Sequence, residues 1–417
     1  MRFLILMTAL GAAAAAEAQI RLPVQLPSLP LPSLQQNLSV PEQALSDVRR
    51  QASALLIRNN RRLIEADPDG EPIVRGEVLA VSIDDAMVSR WVARGFSVER
   101  AETIPAANLR VIVLKVPEKL STRQALRELR DADTQGVYDY NHIYLGSGRA
   151  AGVDAADTDT DTDAGAADAA AAVPSVEPPQ SRMRVGLLDS GLDDTHPAFR
   201  ASVIHPWGCA GKRVPSAHGT AVGSLLVAHV GGELYAADVY CGEPTGGAVD
   251  IIVAALGWMA EEQVAVINVS LVGPKNVLLE RIVGALIARG HLIVAAVGND
   301  GPAAPPLYPA AYPDVVGVTA VDAHRRVLVE AERGPQVMFA ARGADLKAAA
   351  LNHGYVSVRG TSFAAPAVAA LLARTVLTPD RKTSIGAIDA LAKQAVDLGA
   401  PGKDLTYGFG LVGWDTP

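Results

Sequence analysis

Asp189 ends the apolar run Val185-Gly186-Leu187-Leu188 and is followed by Ser190-Gly191. Such a run reads as a buried strand. A carboxylate at its end can accept a hydrogen bond from an imidazole, hold one tautomer of the ring and stabilise the imidazolium. His218 opens His218-Gly219-Thr220-Ala221-Val222-Gly223, a helix start built from residues small enough to pack close to a sheet. Ser362 lies in Gly360-Thr361-Ser362-Phe363-Ala364-Ala365-Pro366, again where a helix begins. There its own N–H and the helix dipole favour developing negative charge. Asn299 follows Ala295-Ala296-Val297-Gly298, just past a strand end, and its amide can donate to an oxyanion. Each is ordinary alone: many strands end in Asp, lone histidines are commonly structural, Ser caps helices and Asn favours turns. Together they supply an imidazole, a carboxylate to orient it, a hydroxyl at a positive helix end and an amide donor.

The elements that must hold these residues are read from Met183 onward. Met183–Asp189, Leu234–Tyr240, Val264–Ser270, Leu292–Val297 and Val315–Ala320 are short runs of Val, Ile, Leu and Ala. Continuous apolar runs suit a mostly parallel sheet covered on both faces. Helical patterns at 218–229, 248–262 and 275–289 alternate with them. Residues 182–417 are therefore expected to form a doubly wound α/β domain, with ligands bound beyond the carboxyl ends of its strands.

Upstream, residues 73–145 read as strand (Glu77–Ile83), helix (Asp84–Arg94), strand (Phe96–Ala101), strand (Arg110–Val116), helix (Ser121–Asp131) and strand (Val137–Leu145). That β-α-β-β-α-β order predicts a small open-faced α+β sandwich. Before it, 42–66 show apolar residues at helical spacing with arginines between them, a solvated amphipathic helix, and 19–41 form a Pro-rich tether. Residues 1–18 carry Arg2, an apolar stretch and Ala16-Glu17-Ala18, the pattern of a signal peptide, so the mature chain is expected to be secreted or periplasmic. The apolar stretch is shorter than the ~20 residues a spanning helix needs, and no transmembrane segment is expected. Residues 146–181 are almost wholly Ala, Asp, Thr, Gly and Pro and read as a disordered linker. Its Asp157, Asp159, Asp161 and Asp163 do not make a calcium loop: counted from Asp159, the sixth place is Ala164 and the twelfth Ala170, where Gly and Glu are needed.

The four chemical motifs occur in the order Asp-Ser-Gly, His-Gly-Thr, Gly-Asn and Gly-Thr-Ser-x-Ala-x-Pro, which resembles the subtilase family of serine peptidases over about residues 182–416. The resemblance implies an α/β fold, a peptide substrate cleaved through an acyl-enzyme, and no organic cofactor. It implies Ser362 as nucleophile, His218 as general base and then acid, Asp189 as the residue orienting it, and Asn299 with the Ser362 amide as the oxyanion site. Ser270-Leu271-Val272-Gly273, with Gly298 opposite, resembles the family's substrate-binding segments, which add the peptide as a strand. The 73–145 segment resembles the family's propeptide, and so implies an intramolecular inhibitor removed by the protease itself. The bland alternative is a permanently attached accessory domain. Serine-carboxyl peptidases share the Ser motif but use Glu as base, and His218-Gly219-Thr220 argues against them.

A formal net charge of −8 argues against a nucleic-acid partner, which requires a basic face. Cys209 and Cys241 either form one disulfide or stay as two buried thiols. A non-hydrolytic peptide-binding or chaperone-like protein on the same scaffold is the second functional reading, though every catalytic position holds the expected residue. The chain departs from the family at Val272, where a second glycine is common, and at Val297. The module is also short, so loops that hold structural calcium in relatives are not readable and no metal ligand is assigned. The extra isopropyl group of Val272 is expected to take volume beside the first subsite, the alternative being that it points away, since alternate strand residues face opposite sides. Cleavage after Phe or Tyr is expected to be poor, and Val272→Gly to improve it by about 1–3 kcal/mol, roughly 5- to 150-fold in kcat/KM. A panel of peptides varied at the residue before the cut checks this, and a Phe or Tyr preference that Val272→Gly leaves unchanged refutes it.

Overall fold

The computed structural model describes residues 42–147, 149–150, 183–230 and 232–413. The regions read as signal peptide and Pro-rich tether lie outside these residues, as does most of the 146–181 linker.

The α/β half consists of β7 (Arg184–Asp189), β8 (Ser202–Trp207), α4 (Ala217–Val230), β9 (Gly232–Asp238), β10 (Gly247–Ala248), α5 (Val249–Glu261), β11 (Val266–Val269), β12 (Leu271–Val272), α6 (Val277–Ala288), β13 (Leu292–Ala296), β14 (Val316–Val321), β15 (Val337–Arg342), β16 (Ala344–Ala349), β17 (Tyr355–Arg359), α7 (Thr361–Ala373) and α8 (Arg381–Gln394). Seven strands form one parallel sheet in the order β15-β14-β13-β11-β7-β9-β8. Strand residues alternate between two cores because successive side chains point to opposite faces. Val185, Leu187, Val266 and Val294 pack with Leu226 of α4 and Val368 of α7. Leu188, Ile267 and Ile293 pack on the other side with Leu256 of α5 and Ile282 of α6. From β7 the chain passes to one side, to β8 at the edge and back to β9, and then continues on the other side through β11, β13, β14 and β15. The sheet therefore has a switch point between β7 and β11, where the loops diverge and leave a crevice.

The upstream half contains α1 (Glu42–Asn59), β1 (Ile64–Ala66), β2 (Pro72–Val81), α2 (Asp85–Ala93), β3 (Ser97–Ile104), β4 (Leu109–Lys115), α3 (Thr122–Ala132), β5 (Val137–Gly146) and β6 (Arg149–Ala150). β5, β2, β4 and β3 pair antiparallel in that order. One face of this sheet packs Val78, Ala80, Ile112 and Leu114 against Trp91 of α2 and Leu126 and Leu129 of α3. Among the described residues the other face is covered by neither α2 nor α3. Its Leu79, Val81, Val111 and Val113 join the core made by α5 and α6. The two helices of the α/β half thus close the open-faced sandwich.

Polar contacts fix that docking. Asp250 N in the first turn of α5 donates to Asn141 Oδ1 at 3.2 Å, and Val277 N at the start of α6 donates to Asp139 Oδ2 at 2.9 Å. Ala248, at the N-cap of α5, supplies no side-chain cap, so β5 satisfies helix-end donors of the other half. Asn276 caps α6 through Oδ1 and donates from Nδ2 to Tyr140 O at 2.9 Å.

Two stretches differ from the sequence reading. The helix assigned to 42–66 ends at Asn59, and the chain returns as β1, which pairs with β2 from Ile64. That helix is not fully solvated: Leu56 is buried and Arg49 is bound from both sides. The linker assigned from 146 starts later, because Gly146 completes β5 and Arg149–Ala150 pairs with Val358 and Arg359 of β17. Backbone pairing with neighbouring strands orders residues whose side chains carry no strand pattern.

Cys209 and Cys241 form a disulfide, tying the end of β8 to the end of β9 across 32 residues of sequence. Replacing both by Ser is expected to cost about 3–4 kcal/mol from the loop-closure entropy. Denaturant unfolding of the double variant checks this, and unchanged stability refutes it.

Candidate active site

Three strand ends and two helix starts meet at the switch point. Asp189 is the last residue of β7 and is fully buried. Its Oδ1 accepts from Ser190 N at 2.7 Å, from Ser190 Oγ at 3.0 Å and from His218 Nδ1 at 2.8 Å. His218 lies in the first turn of α4. Gly219 makes this approach possible, since a Cβ there would lie 2.0 Å from Ser190 O. Burial disfavours the charged ring, but the charge and hydrogen bond of Asp189 outweigh it and hold the His218 pKa above its ordinary value. His218 Nε2 makes no hydrogen bond among the described residues.

Ser362 is the second residue of α7, whose N-cap Gly360 has a φ of 139° that excludes most side chains. The hydroxyl is buried and donates to Ser270 O at 3.1 Å, rather than to the imidazole. Ser270 Oγ donates back to Ser362 O at 3.0 Å, which locks the end of β11 to the start of α7. Asn299 comes from the turn after β13. Its Oδ1 accepts from Thr361 N at 3.1 Å, and Gly298 N donates to Thr361 Oγ1 at 3.3 Å. Asn299 Nδ2 is left buried with no acceptor among the described residues. A buried donor of this kind, held beside a buried hydroxyl, can stabilise an oxyanion formed there.

The crevice is filled by the chain itself. β5 runs antiparallel to β12, with Leu145 opposite Val272 and Gly146 opposite Leu271, and to β10 on its other edge. Ser147 N donates to Ser270 O at 3.4 Å, while Ser147 O accepts from Ser362 N at 3.3 Å. The Ser147 and Ser362 hydroxyl oxygens are 2.8 Å apart. Gly146 passes the imidazole so closely that a Cβ would lie 3.1 Å from His218 Cε1. Tyr144 is buried between Gly273, where any Cβ would meet its ring at 2.8 Å, and an apolar pocket lined by Ile252, Leu256, Leu279 and Val283. Its hydroxyl donates to Pro274 O.

All nine residues singled out in the sequence lie along this crevice: Asp189, His218, Ser362, Asn299, Gly298 and the stretch Ser270, Leu271, Val272 and Gly273. Sequence reasoning missed Ser147, Asp300, Glu332 and Arg49. Asp300 follows Asn299, and Glu332 is completely buried with Oε2 accepting from Leu307 N at 3.3 Å. Burial, then the Asp300 charge, push the Glu332 carboxyl up to about 9. Burial also raises Asp300. Arg49 reaches from α1, with NH2 2.9 Å from Glu71 and NH1 3.4 Å from Asp300. One signal for it was present: Arg49 falls on the helical stripe of Leu45, Ala52 and Leu56. The other three carry no pattern of their own. Among the described residues the cluster closest to metal-ligand spacing is Cys209, Asp238 and Cys241, and its two sulfurs are already bonded to each other.

The chain is similar in sequence to known proteins over a little more than half of its length. It is 28% identical over 244 residues to the minor extracellular protease Epr of Bacillus subtilis, covering 55% of this chain and 37% of that one. It is 30% identical over 245 residues to subtilisin BL of Lederbergia lenta, covering 56% of this chain and 89% of that one. Its fold resembles that of fervidolysin from Fervidobacterium pennivorans, a keratinolytic enzyme related to subtilisin. The TM-score is 0.63 at 18% identity, over 83% of this chain and 61% of that one. The chain therefore spans less than two thirds of the Epr protease and of fervidolysin. The subtilase family model matches residues 180–410, more than half of the chain, and the chain belongs to the subtilase family of serine peptidases.

Proposed function

We propose that the chain is an exported serine endopeptidase made as a self-inhibited precursor, in which the upstream half is the inhibitor and the Ser147–Gly148 bond is the first substrate. The observation that carries this reading is the seating of Ser147, with its N–H on Ser270 O and its carbonyl on the N–H of Ser362. That is the posture of a peptide about to be cut, and the chain is held on both sides of the bond, by β12 before it and β17 after it.

In this mechanism the Ser362 hydroxyl turns from Ser270 O to His218 Nε2 and gives up its proton there. Ser362 Oγ then bonds to the Ser147 carbonyl carbon. Negative charge develops on Ser147 O, which already faces the Ser362 N–H, and Asn299 Nδ2 is the free second donor. Collapse of the intermediate breaks the bond to Gly148 N, which takes the proton back from His218. Water then attacks the acyl-enzyme by the same route, with His218 as base. Asp189 holds the ring and stabilises its charged form throughout. After the cut, residues up to Ser147 form a product-like strand that blocks the crevice, supported by the apolar anchor of Tyr144. Export is supported by the signal-like residues 1–18 and by the disulfide, which persists in oxidising compartments.

Expression of the wild type should give a mature chain whose N-terminal residue is Gly148. Ser362→Ala and His218→Ala should stay full length and lose about 10⁶-fold in peptide turnover. N-terminal sequencing and peptide assays read both, and a Ser362→Ala chain cut at the same bond refutes self-cleavage. Because the base must be neutral, kcat/KM should rise with pH through the raised His218 pKa. Asp189→Asn removes the group that raises it, so the midpoint should move to lower pH while turnover falls about 10⁴-fold. A pH–rate profile with an unmoved midpoint in that variant refutes the assignment of His218 as base.

A further inference from the structure

Peptide hydrolysis has no use for the carboxyls of Asp300 and Glu332, yet Asp300 follows Asn299 and Glu332 lies against Gly298. Glu332 Oε1 lies beneath Gly298, where a Cβ would meet it at 2.5 Å, and it makes no hydrogen bond among the described residues. A half-buried carboxylate beside a buried carboxyl is costly to ionise unless a cation faces it. The cation is Arg49, held against Asp300 at 3.4 Å and brought there by α1, a segment remote in sequence.

The recess adjoins the peptide being cut. Gly298 and Asn299 are both hydrogen-bonded to Thr361, and the next residue, Ser362, binds the Ser147 carbonyl through its N–H. The substrate residue beside the recess is therefore the one that precedes the scissile bond. In the precursor that residue is Ser147, whose short side chain turns to Ser362 Oγ and leaves the carboxylates to Arg49.

We propose that Asp300 and Glu332 form a guanidinium-binding recess for an arginine side chain at the substrate position before the cut, and that Arg49 occupies it until the upstream segment departs. The proposal rests on the peptidase reading above. Loss of α1 takes Arg49 away and leaves Asp300 without its counter-charge beside the buried Glu332 carboxyl, and an arginine from a substrate restores the pairing. The flat, forked guanidinium suits two carboxylates better than the compact ammonium of lysine.

The test uses processed enzyme and paired peptides that differ only in arginine or citrulline before the cut, which have the same shape but differ in charge. Arginine should be favoured about 10- to 100-fold in kcat/KM, the range for a hydrogen bond to a charged group. The Asp300→Asn/Glu332→Gln double variant should bring the ratio to about threefold or less. Equal rates for the two peptides in the wild type overturn the proposal, and so does a preference that survives in the double variant. Hydrolysis of the citrulline peptide reads the peptidase activity separately, so failure there is distinct from failure of the recess. A second measurement needs no turnover. Benzamidinium added to full-length Arg49→Ala, or to Arg49→Gln if the first does not fold, should raise its Tm. It should not do so in wild type or when Asp300→Asn is added. A Tm that benzamidinium leaves unmoved in the Arg49 variant overturns the recess even if peptides are not cleaved.

Discussion

The reversal of strand order between β7 and β11 is the constraint on which the site depends. A parallel sheet wound in two directions diverges at one place, and there strand ends are free of crossing connections. Asp189 and Ser270 sit on the two strands that flank the reversal, and the turn after β13 adds Asn299. Helices α4 and α7 pack together on one face and bring His218 and Ser362 over the same opening. None of these residues is near another in sequence, so the chemistry exists only because the sheet is wound this way. Local devices then set the distances. Gly219 admits α4 to the backbone of Ser190, and the paired Ser270 and Ser362 hydrogen bonds tie α7 to the end of β11.

The upstream half is built around the same opening. Its sheet has one face covered by its own helices and another covered by α5 and α6, so the apolar burial of each half includes surface of the other. Asp139 and Asn141 of β5 accept from helix-start amides of α6 and α5, while Tyr144 fills an apolar pocket further along. Alternate residues of one strand thus dock the domain, and its last residues enter the crevice. Register matters here because a one-residue slip would turn these side chains to the wrong face.

Three acids of the α/β half each face a basic group. Asp189 faces the imidazole, Asp250 faces Arg100, and Asp300 faces Arg49. The last two partners come from the upstream half. Were that half removed, Asp300 and Asp250 would lose Arg49 and Arg100 and the crevice would open.

The α/β alternation was readable because buried strands and helices leave apolar runs, and the candidate residues because Asp189 and Asn299 follow strand runs while His218 and Ser362 stand where small-residue helices begin. The β-α-β-β-α-β order upstream was readable for the same reason, from alternating strands and the Ser121 cap. The tertiary structure alone decided what has no local signature. Short strands such as β6, β10 and β12 form because a partner strand offers backbone donors and acceptors, not because their residues prefer it. Ser147 looks like part of a featureless linker, and its place between Ser270 and Ser362 follows from the register of β5 on β12. Arg49 looks like one of several surface arginines until the fold sets it against Asp300, from a distant part of the chain. Composition and periodicity report what a residue does to its own segment, whereas the pairing of remote segments depends on how the whole sheet is wound.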